Sequence, residues 1–296
     1  MKILITGGSG LLGQYLNIEL SQQHQILTLY NSSFGNCKDF NSIKVDITNQ
    51  SQLQNVFYDY KPDVVIHTAA ISNPILPDNI SPKDVYKINV DSTKNIAELC
   101  FKHKAKLVYT STDLVYAGYR DSMLKEDAKL IPVSLYAETK LMGEVKIQNT
   151  FDNYVILRTA LLFGFGLTHS KNHFQKMFND LKQNIPVKLF VDQFRTPLSL
   201  KDAVRIIDEL LRSEIKTEII NFGGPERVSR FELGEKVCEV TGIDKNLLTK
   251  IKMDDVPEVA KVEDVSMNTD KLRSYGIKQK SLDEMIFESI NNNYGS

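Results

Sequence analysis

Met1-Lys-Ile-Leu-Ile-Thr-Gly-Gly-Ser-Gly-Leu-Leu-Gly13 decides how this chain folds. Lys2–Thr6 is apolar and β-branched and reads as a strand, whereas Leu11, Leu12, Tyr15, Leu16 and then Leu20 recur at helical spacing. Gly7, Gly10 and Gly13 lie between and into these elements, and that order makes a site for a dinucleotide pyrophosphate. Gly7 permits a sharp turn, and Gly10 lets phosphates approach the main chain because no Cβ intervenes. Gly13 lets the helix pack close to the sheet. The unpaired N–H groups and positive dipole end of the helix's first turn then attract phosphate. Gly8, Gly10 and Gly13 also supply Gly-x-Gly-x-x-Gly spacing, a match that gains weight only from the strand before it and the helix after. The competing reading is an ordinary glycine-rich turn.

The rest of the sequence agrees with an intracellular α/β protein. Its 296 residues suffice for one large or two modest domains. The formal net charge is −1, with Lys and Arg spread along the chain, which leaves no electrostatic footprint for nucleic acid or an anionic membrane. No stretch approaches the roughly 18 apolar residues of a membrane span, and no secretory h-region precedes the first strand. Cys37, Cys100 and Cys238 are odd in number and far apart, fitting a reduced cytoplasmic protein without a Cys-x-x-Cys or metal-ligand spacing. No metal is expected.

Strand and helix patterns alternate through the first half. Strands are expected at Lys2–Thr6, Gln25–Tyr30, Val64–His67, Lys106–Thr110 and Tyr154–Leu157, with the clearest helices at Asp84–His103 and Leu135–Gln148. This predicts a Rossmann-type, doubly wound parallel sheet over residues 1–160. After about Ala160 the pattern changes to helices at His173–Lys182, Lys201–Arg212, Arg230–Thr241 and Ser281–Asn291 and strands at Val187–Phe190 and Glu218–Asn221. Residues 161–296 therefore read as a smaller, partly interleaved C-terminal α/β substrate domain, with substrate expected in a cleft beyond the strands' carboxyl ends.

Tyr136 and Lys140 stand four apart in Ser134-Leu-Tyr-Ala-Glu-Thr-Lys140 and share a helix face, with Ser134 as N-cap. Alone, such a pair in a chain with 12 tyrosines reads as a surface helix. Its position after the strand Lys106–Thr110, whose end carries Ser111, Thr112 and Asp113 at the sheet's ligand edge, gives it chemical sense. A phenol with pKa near 10 is a poor acid at neutral pH. An ammonium about 4 Å away favours phenolate by roughly 4 kcal/mol at an effective dielectric near 20. That is about three pKa units before desolvation, enough to expect Tyr136 near the range where general acids work best. Lys140 can also bond a nicotinamide ribose, and Tyr136 then gives a proton to a carbonyl oxygen as hydride reaches its carbon.

On these residues the sequence resembles the extended short-chain dehydrogenase/reductase superfamily, and within it the dTDP-4-dehydrorhamnose reductase group. The likeness runs through the glycine motif, Val45-Asp46-Ile47, Pro62-Asp-Val-Val-Ile-His-Thr-Ala-Ala70, Asn89, Ser111-Thr-Asp-Leu-Val-Tyr-Ala-Gly118, Tyr136 with Lys140, Asp192-Gln-Phe-Arg-Thr-Pro197 with Asp202, and Asn268-Thr-Asp-Lys-Leu272. It implies a reductase of a 4-keto sugar nucleotide in dTDP-rhamnose biosynthesis, with Thr112, Tyr136 and Lys140 catalytic and Thr112, Asp113 and Arg195 on the substrate. The cofactor is expected against Gly7, Ser9, Gly10, Leu11, Leu12, Gly13, Asn31, Ser32, Asp46, Ile47, Thr68, Ala69, Ala70, Asn89, Tyr136 and Lys140. A homodimer is compatible with the resemblance. Two departures fall where the sugar should sit: Leu114 replaces an aromatic residue, and the loop Ile71-Ser-Asn-Pro-Ile-Leu-Pro-Asp78 differs in shape and polarity from that of these reductases.

Strand two ends at Tyr30-Asn31-Ser32-Ser33 without the carboxylate that typically holds the ribose 2′-hydroxyl of NAD. NADP(H) is therefore preferred, although no arginine is at hand and NAD(H) is also admitted. Leu114 can serve neither as acid nor as base, which argues against a dehydratase. Two alternatives stay open: a sugar-nucleotide epimerase of the same superfamily, and a cofactor-binding regulatory subunit like that of methionine adenosyltransferase. His169 and His173 share a helical spacing but have no third ligand, so a solvated helix start is the better reading. His67 reads as a hydrogen-bonded structural residue. Arg195 lies in a polar island and is either a surface ion pair or a fork for a substrate diphosphate. Asp113 either orients the sugar or caps its loop.

Overall fold

The computed structural model describes residues 1–72, 80–116, 118–119, 121–168, 172–256 and 261–291. Two compact units emerge. One comprises Met1–Val115, Pro132–Arg158 and Ile207–Ile220, the other Tyr116–Ile131, Thr159–Ile206 and Asn221–Ser296. Each unit thus draws on three separated segments rather than one continuous run.

The first unit is built on strands β1 (Lys2–Thr6), β2 (Gln25–Tyr30), β3 (Ser42–Lys44), β4 (Val64–His67), β5 (Lys106–Thr112) and β6 (Tyr154–Thr159). With the strand Glu218–Phe222 they form one seven-stranded sheet in the order Glu218–Phe222, β6, β5, β4, β1, β2, β3. The pairs β1–β2, β1–β4, β2–β3 and β4–β5 are parallel. Strand order reverses direction between β1 and β4, the switch point where open α/β sheets bind ligands. The inner strands read as continuous apolar runs because both faces are covered; Ile3, Leu4, Ile5, Val65 and Ile66 are all 0% exposed. Thr6 pairs with His67 and His67 with Tyr109, so β5 continues past its neighbours and carries Thr112 beyond the common edge.

Helices α1 (Leu11–Leu20), α2 (Gln50–Tyr60), α3 (Pro82–Tyr86), α4 (Ser92–His103) and α5 (Leu135–Gln148) complete this unit. The run expected as one helix over Asp84–His103 begins instead at Pro82, where a Ser81–Asp84 capping box fixes its start. It passes through a π-helical turn at Lys87–Asp91 before becoming α4. That wider turn places Asn89 and Val90 inside the protein. The last segment is bound to the first unit by polar contacts: His24 Nε2 lies 2.7 Å from Asp208 Oδ1, and Lys106 Nζ donates to the carbonyls of Leu210 (3.0 Å) and Ser213 (3.2 Å).

In the second unit, three short strand pairs join Leu162–Phe163 to Leu198–Ser199, Phe194–Arg195 to Val228–Ser229, and Val187–Phe190 to Leu248–Ile251. Helices His173–Lys182, Arg230–Thr241 and Leu282–Asn291 lie where the sequence predicts them, within one residue. Phe163, Phe165, Phe174 and Phe178 stack edge and tilt against one another in its core. Asn221 ties the segment 116–131 into this unit: its Oδ1 accepts from the Tyr116 hydroxyl (2.6 Å), and its Nδ2 donates to the carbonyls of Leu124 (2.7 Å) and Asn268 (3.0 Å). Among the described residues no helix is long and apolar enough to cross a membrane, and no group of three or more candidate ligands gathers to hold a metal. His169 lies outside the described residues, as do residues 73–79 of the divergent loop.

Candidate active site

The chain leaves β1 through Gly7, whose φ of +71° is one an L side chain adopts only with strain. Gly10 is the N-cap of α1, and its N–H donates to the Gly7 carbonyl at 2.9 Å. A Cβ at Gly13 would lie 2.2 Å from the Gly7 oxygen and 2.7 Å from the Gly8 Cα, both main-chain atoms. The loop is also pinned from below by residues that the sequence analysis did not single out. Gln14 Nε2 donates to the Ser9 carbonyl (3.0 Å), and Asn17 Nδ2 donates to the Gly8 carbonyl (3.0 Å) and to Asn36 Oδ1 (2.9 Å). Asn36 Nδ2 in turn donates to the Gln14 carbonyl at 2.9 Å. The available signal was Gln14 and Asn17 interrupting the apolar stripe of α1, since buried amides must find partners.

Above this loop lies a groove of about 300 Å³. Gly7, Ser9, Gly10, Asn31, Ser32, Asp46, Ile47, Thr68, Ala69 and Ala70 line it, all expected from the sequence, together with Leu29, Tyr30, Val45, Ile71 and Ile88, which were not. Leu11, Leu12, Gly13, Asn89, Tyr136 and Lys140 do not line it. A dinucleotide fits this lining by two observations: the backbone cradle a Cβ would fill, and polar groups at Asn31, Ser32 and Asp46 spaced between apolar walls. The Tyr30 ring packs on Phe34 with centroids 4.3 Å apart.

A polar relay runs beneath the sheet edge. The Thr93 hydroxyl donates to the Asn89 carbonyl at 2.7 Å, so it accepts from His67 Nε2 at 2.9 Å. His67 Nδ1 is then the acceptor for the Thr6 hydroxyl at 2.6 Å, which fixes the neutral tautomer. Burial, seconded by the charge of Lys140, lowers the His67 pKa to about 3. Asn89 uses its whole amide: Oδ1 accepts from the Ile71 N–H (2.9 Å), while Nδ2 donates to the Ile71 carbonyl and to Thr139 Oγ1, each at 3.0 Å. Thr139 passes the chain on by donating to the Tyr136 carbonyl at 2.9 Å.

Helix α5 begins as its sequence predicts, with Ser134 Oγ accepting from the Ala137 N–H at 3.2 Å. Tyr136 faces the tip of β5, where Thr112 and Asp113 both act on its phenol. Lys140 is 2% exposed and holds its Nζ 4.1 Å from the centroid of the Tyr109 ring. Burial lowers its pKa to about 7, against the pull of the Glu144 charge. The phenol departs from expectation. Burial and then the Asp113 carboxylate push Tyr136 up to about 12, with the nearby Thr112 hydroxyl acting the other way. In the chain itself desolvation outweighs any acidifying effect of the neighbouring ammonium, and Tyr136 is held as a protonated phenol.

Asp113 is 5% exposed, and its Oδ1 accepts from the Thr112 hydroxyl at 3.1 Å. Leu114 contributes its N–H to Thr112 Oγ1 at 3.2 Å. Arg195 belongs to the second unit, where it is 6% exposed. Its Nη1 donates to the carbonyls of Phe194 (2.6 Å), Val262 (3.3 Å) and Glu263 (3.4 Å), and its Nη2 to Val262 (3.3 Å).

Residues 1–294 match the family model described as RmlD substrate binding domain. The sequence is 26% identical over 224 residues to dTDP-4-dehydrorhamnose reductase of Aggregatibacter actinomycetemcomitans, covering 75% of this chain and 71% of that protein. It is 23% identical over 287 residues to methionine adenosyltransferase 2 subunit beta of Pongo abelii, covering 95% and 84%. In fold it is similar to the crystal structure of dTDP-4-dehydrorhamnose reductase from Bacillus anthracis in complex with NADP, with a TM-score of 0.85, 24% identity and 99% of each chain covered.

Proposed function

This chain belongs to the RmlD substrate binding domain family, and from that premise we propose that it is a nicotinamide-dependent reductase of a 4-keto sugar nucleotide, with dTDP-4-dehydro-6-deoxy-L-mannose or a relative as substrate. The observation carrying the proposal is the meeting of Thr112 and Asp113 at the end of β5 with Tyr136 of α5, backed by buried Lys140, in the same unit as the glycine-cradled groove.

A bound nicotinamide dinucleotide supplies the hydride. The chain's own residues do the rest. Gly7, Ser9 and Gly10 with the first turn of α1 hold the diphosphate, and Asp46, Ile47 and the Thr68–Ala70 turn flank the remainder of the groove. Tyr136, kept protonated, gives its proton to the C4 oxygen of the sugar while Thr112 holds that oxygen. Lys140 stabilises the phenolate left behind, an interaction strongest in a buried setting. Asp113 orients the sugar, while Arg195, expected as a fork for a substrate diphosphate, is engaged by the carbonyls of Phe194, Val262 and Glu263. Asn31 and Ser32 present amide and hydroxyl groups where a carboxylate would repel a 2′-phosphate, which supports NADP(H) over NAD(H).

The deciding experiment follows NADPH oxidation spectrophotometrically against a panel of 4-keto sugar nucleotides. Turnover with release of NADP⁺ supports the reductase, whereas conversion with retained cofactor identifies an epimerase. The similarity to a methionine adenosyltransferase subunit over 95% of the chain favours one second reading, a cofactor-binding regulatory subunit. Its signature is capture of a synthetase with no turnover on any sugar nucleotide.

A further inference from the structure

Glu144 follows Lys140 by one helical turn, as Lys140 follows Tyr136, so all three share a face of α5. Its side chain is 1% exposed, and that of Arg158 on β6 is 2% exposed, with Arg158 Nη2 2.9 Å from Glu144 Oε2. Arg158 Nε donates to both carboxylate oxygens, at 3.2 and 3.3 Å. A third partner comes from β5: the Ser111 hydroxyl donates to Glu144 Oε1 at 2.5 Å, one residue before Thr112.

Stability is a poor explanation for this cluster. Removing two charges from water costs several kcal/mol per ion, and well-packed apolar replacements of buried pairs are often neutral or stabilising. The placement suggests a different task. The titratable groups around Lys140 are Tyr136 and Glu144 on α5, Tyr109 on β5 and neutral His67 on β4, whose ring lies 5.5 Å from that of Tyr109; Asp113 acts on Tyr136. Of these, the Glu144 carboxylate is the charge that favours the ammonium form of Lys140 against its burial.

We propose that the Glu144–Arg158 pair is a positioning device for proton transfer: the carboxylate keeps Lys140 charged inside the protein and, through Ser111, fixes the strand end that carries Thr112. This rests on Tyr136, Lys140 and Thr112 being the proton-transfer residues. Arg158 holds the carboxylate in place through its Nε and Nη2 donors.

The test is an NMR titration of the full chain with lysine labelled at Cε, the Lys140 signal being identified by its loss in Lys140→Met. In Glu144→Gln/Arg158→Gln, which removes both charges, the Lys140 midpoint falls by about one pH unit or more, a tenfold change in the ratio of ammonium to amine. An unchanged midpoint in the folded double variant overturns the proposal, because a purely structural pair affects stability alone. Should that variant not fold, the wild-type midpoint decides: ammonium retained up to neutral pH supports the proposal, and a midpoint on the acid side overturns it. Ser111→Ala tests the second arm, with kcat falling about tenfold at unchanged cofactor affinity and recovering in Ser111→Thr; an unchanged kcat overturns that arm. The titration needs no substrate. Absence of turnover on every sugar nucleotide therefore sinks the reductase reading without touching the Lys140 measurement.

Discussion

At Gly13 a single methyl group has nowhere to go. Its contacts would be main-chain atoms of Gly7 and Gly8, which cannot swing aside as a side chain can. Gly13→Ala is therefore expected to lower stability by about 1–3 kcal/mol, the usual cost of overpacking, and to weaken dinucleotide binding with it. Urea unfolding and cofactor titration of the variant check both. Tyr136→Phe makes the opposite demand. The ring still fills its place, but the proton donor is gone, so kcat should fall by about 10²–10⁴-fold with cofactor Kd nearly unchanged. Retained turnover in this variant would reject the assignment of Tyr136 as acid. The Tyr136–Lys140 pair was legible because fourfold spacing on a helix and a preceding β-strand coincide in the sequence. The environment of the phenol was not, since burial and the Asp113 charge depend on what packs around α5. Glu144 and Arg158 escaped for a similar reason: a glutamate in a helix and an arginine in a strand look like solvated residues until both are found buried together.

Among the elements, the π-helical turn at Lys87–Asp91 does the most to join the groove to α5. Asn89 bonds Ile71, which lines the groove, and Thr139, which bonds the Tyr136 carbonyl. Asn89→Ala leaves both the N–H and the carbonyl of Ile71 to find other partners, while the Thr139 hydroxyl keeps its bond to the Tyr136 carbonyl. The expected cost is about 1–3 kcal/mol of stability, together with weaker cofactor binding, measurable by denaturation and by titration. If binding is unaltered, the turn holds only the fold. The extra residue of the turn shifts the apolar stripe by one position, a phase break that so short a segment does not make visible in the sequence. Helix α2 was missed for another reason. Gln50–Tyr60 is largely polar and buries only Leu53, Val56 and Phe57, a stripe too narrow to give a clear helical pattern. The strands β1, β2 and β4 were read with their observed bounds, since double-sided burial demands unbroken apolar runs.

For the molecule as a whole, acid is the expected weakness. His67 is 0% exposed and its pKa is lowered from 6.5 to about 3, so below 6.5 the unfolded chain binds a proton that the folded chain refuses. The stability associated with the neutral ring is complete above 6.5 and is lost as pH falls toward 3, at up to about 1.4 kcal/mol per unit. Lys140 tilts the balance the same way at higher pH: lowered from 10.5 to about 7, it lets stability rise between those values. Urea midpoints measured from neutral pH downward should show the acid loss, and His67→Gln should flatten it. An unchanged slope would place the sensitivity elsewhere. Beyond Arg158 the chain leaves the first unit and comes back to it at Ile207–Ile220, a return that no change of sequence pattern marks.

That return has a consequence for how the protein is made. The outermost strand of the sheet, Glu218–Phe222, hydrogen-bonds to β6 but is translated long after it. A nascent chain leaving the ribosome therefore displays β6 as a raw, unpaired border until that late strand emerges. A fragment ending near residue 160 would carry the same sticky margin permanently and is expected to aggregate where the full chain does not.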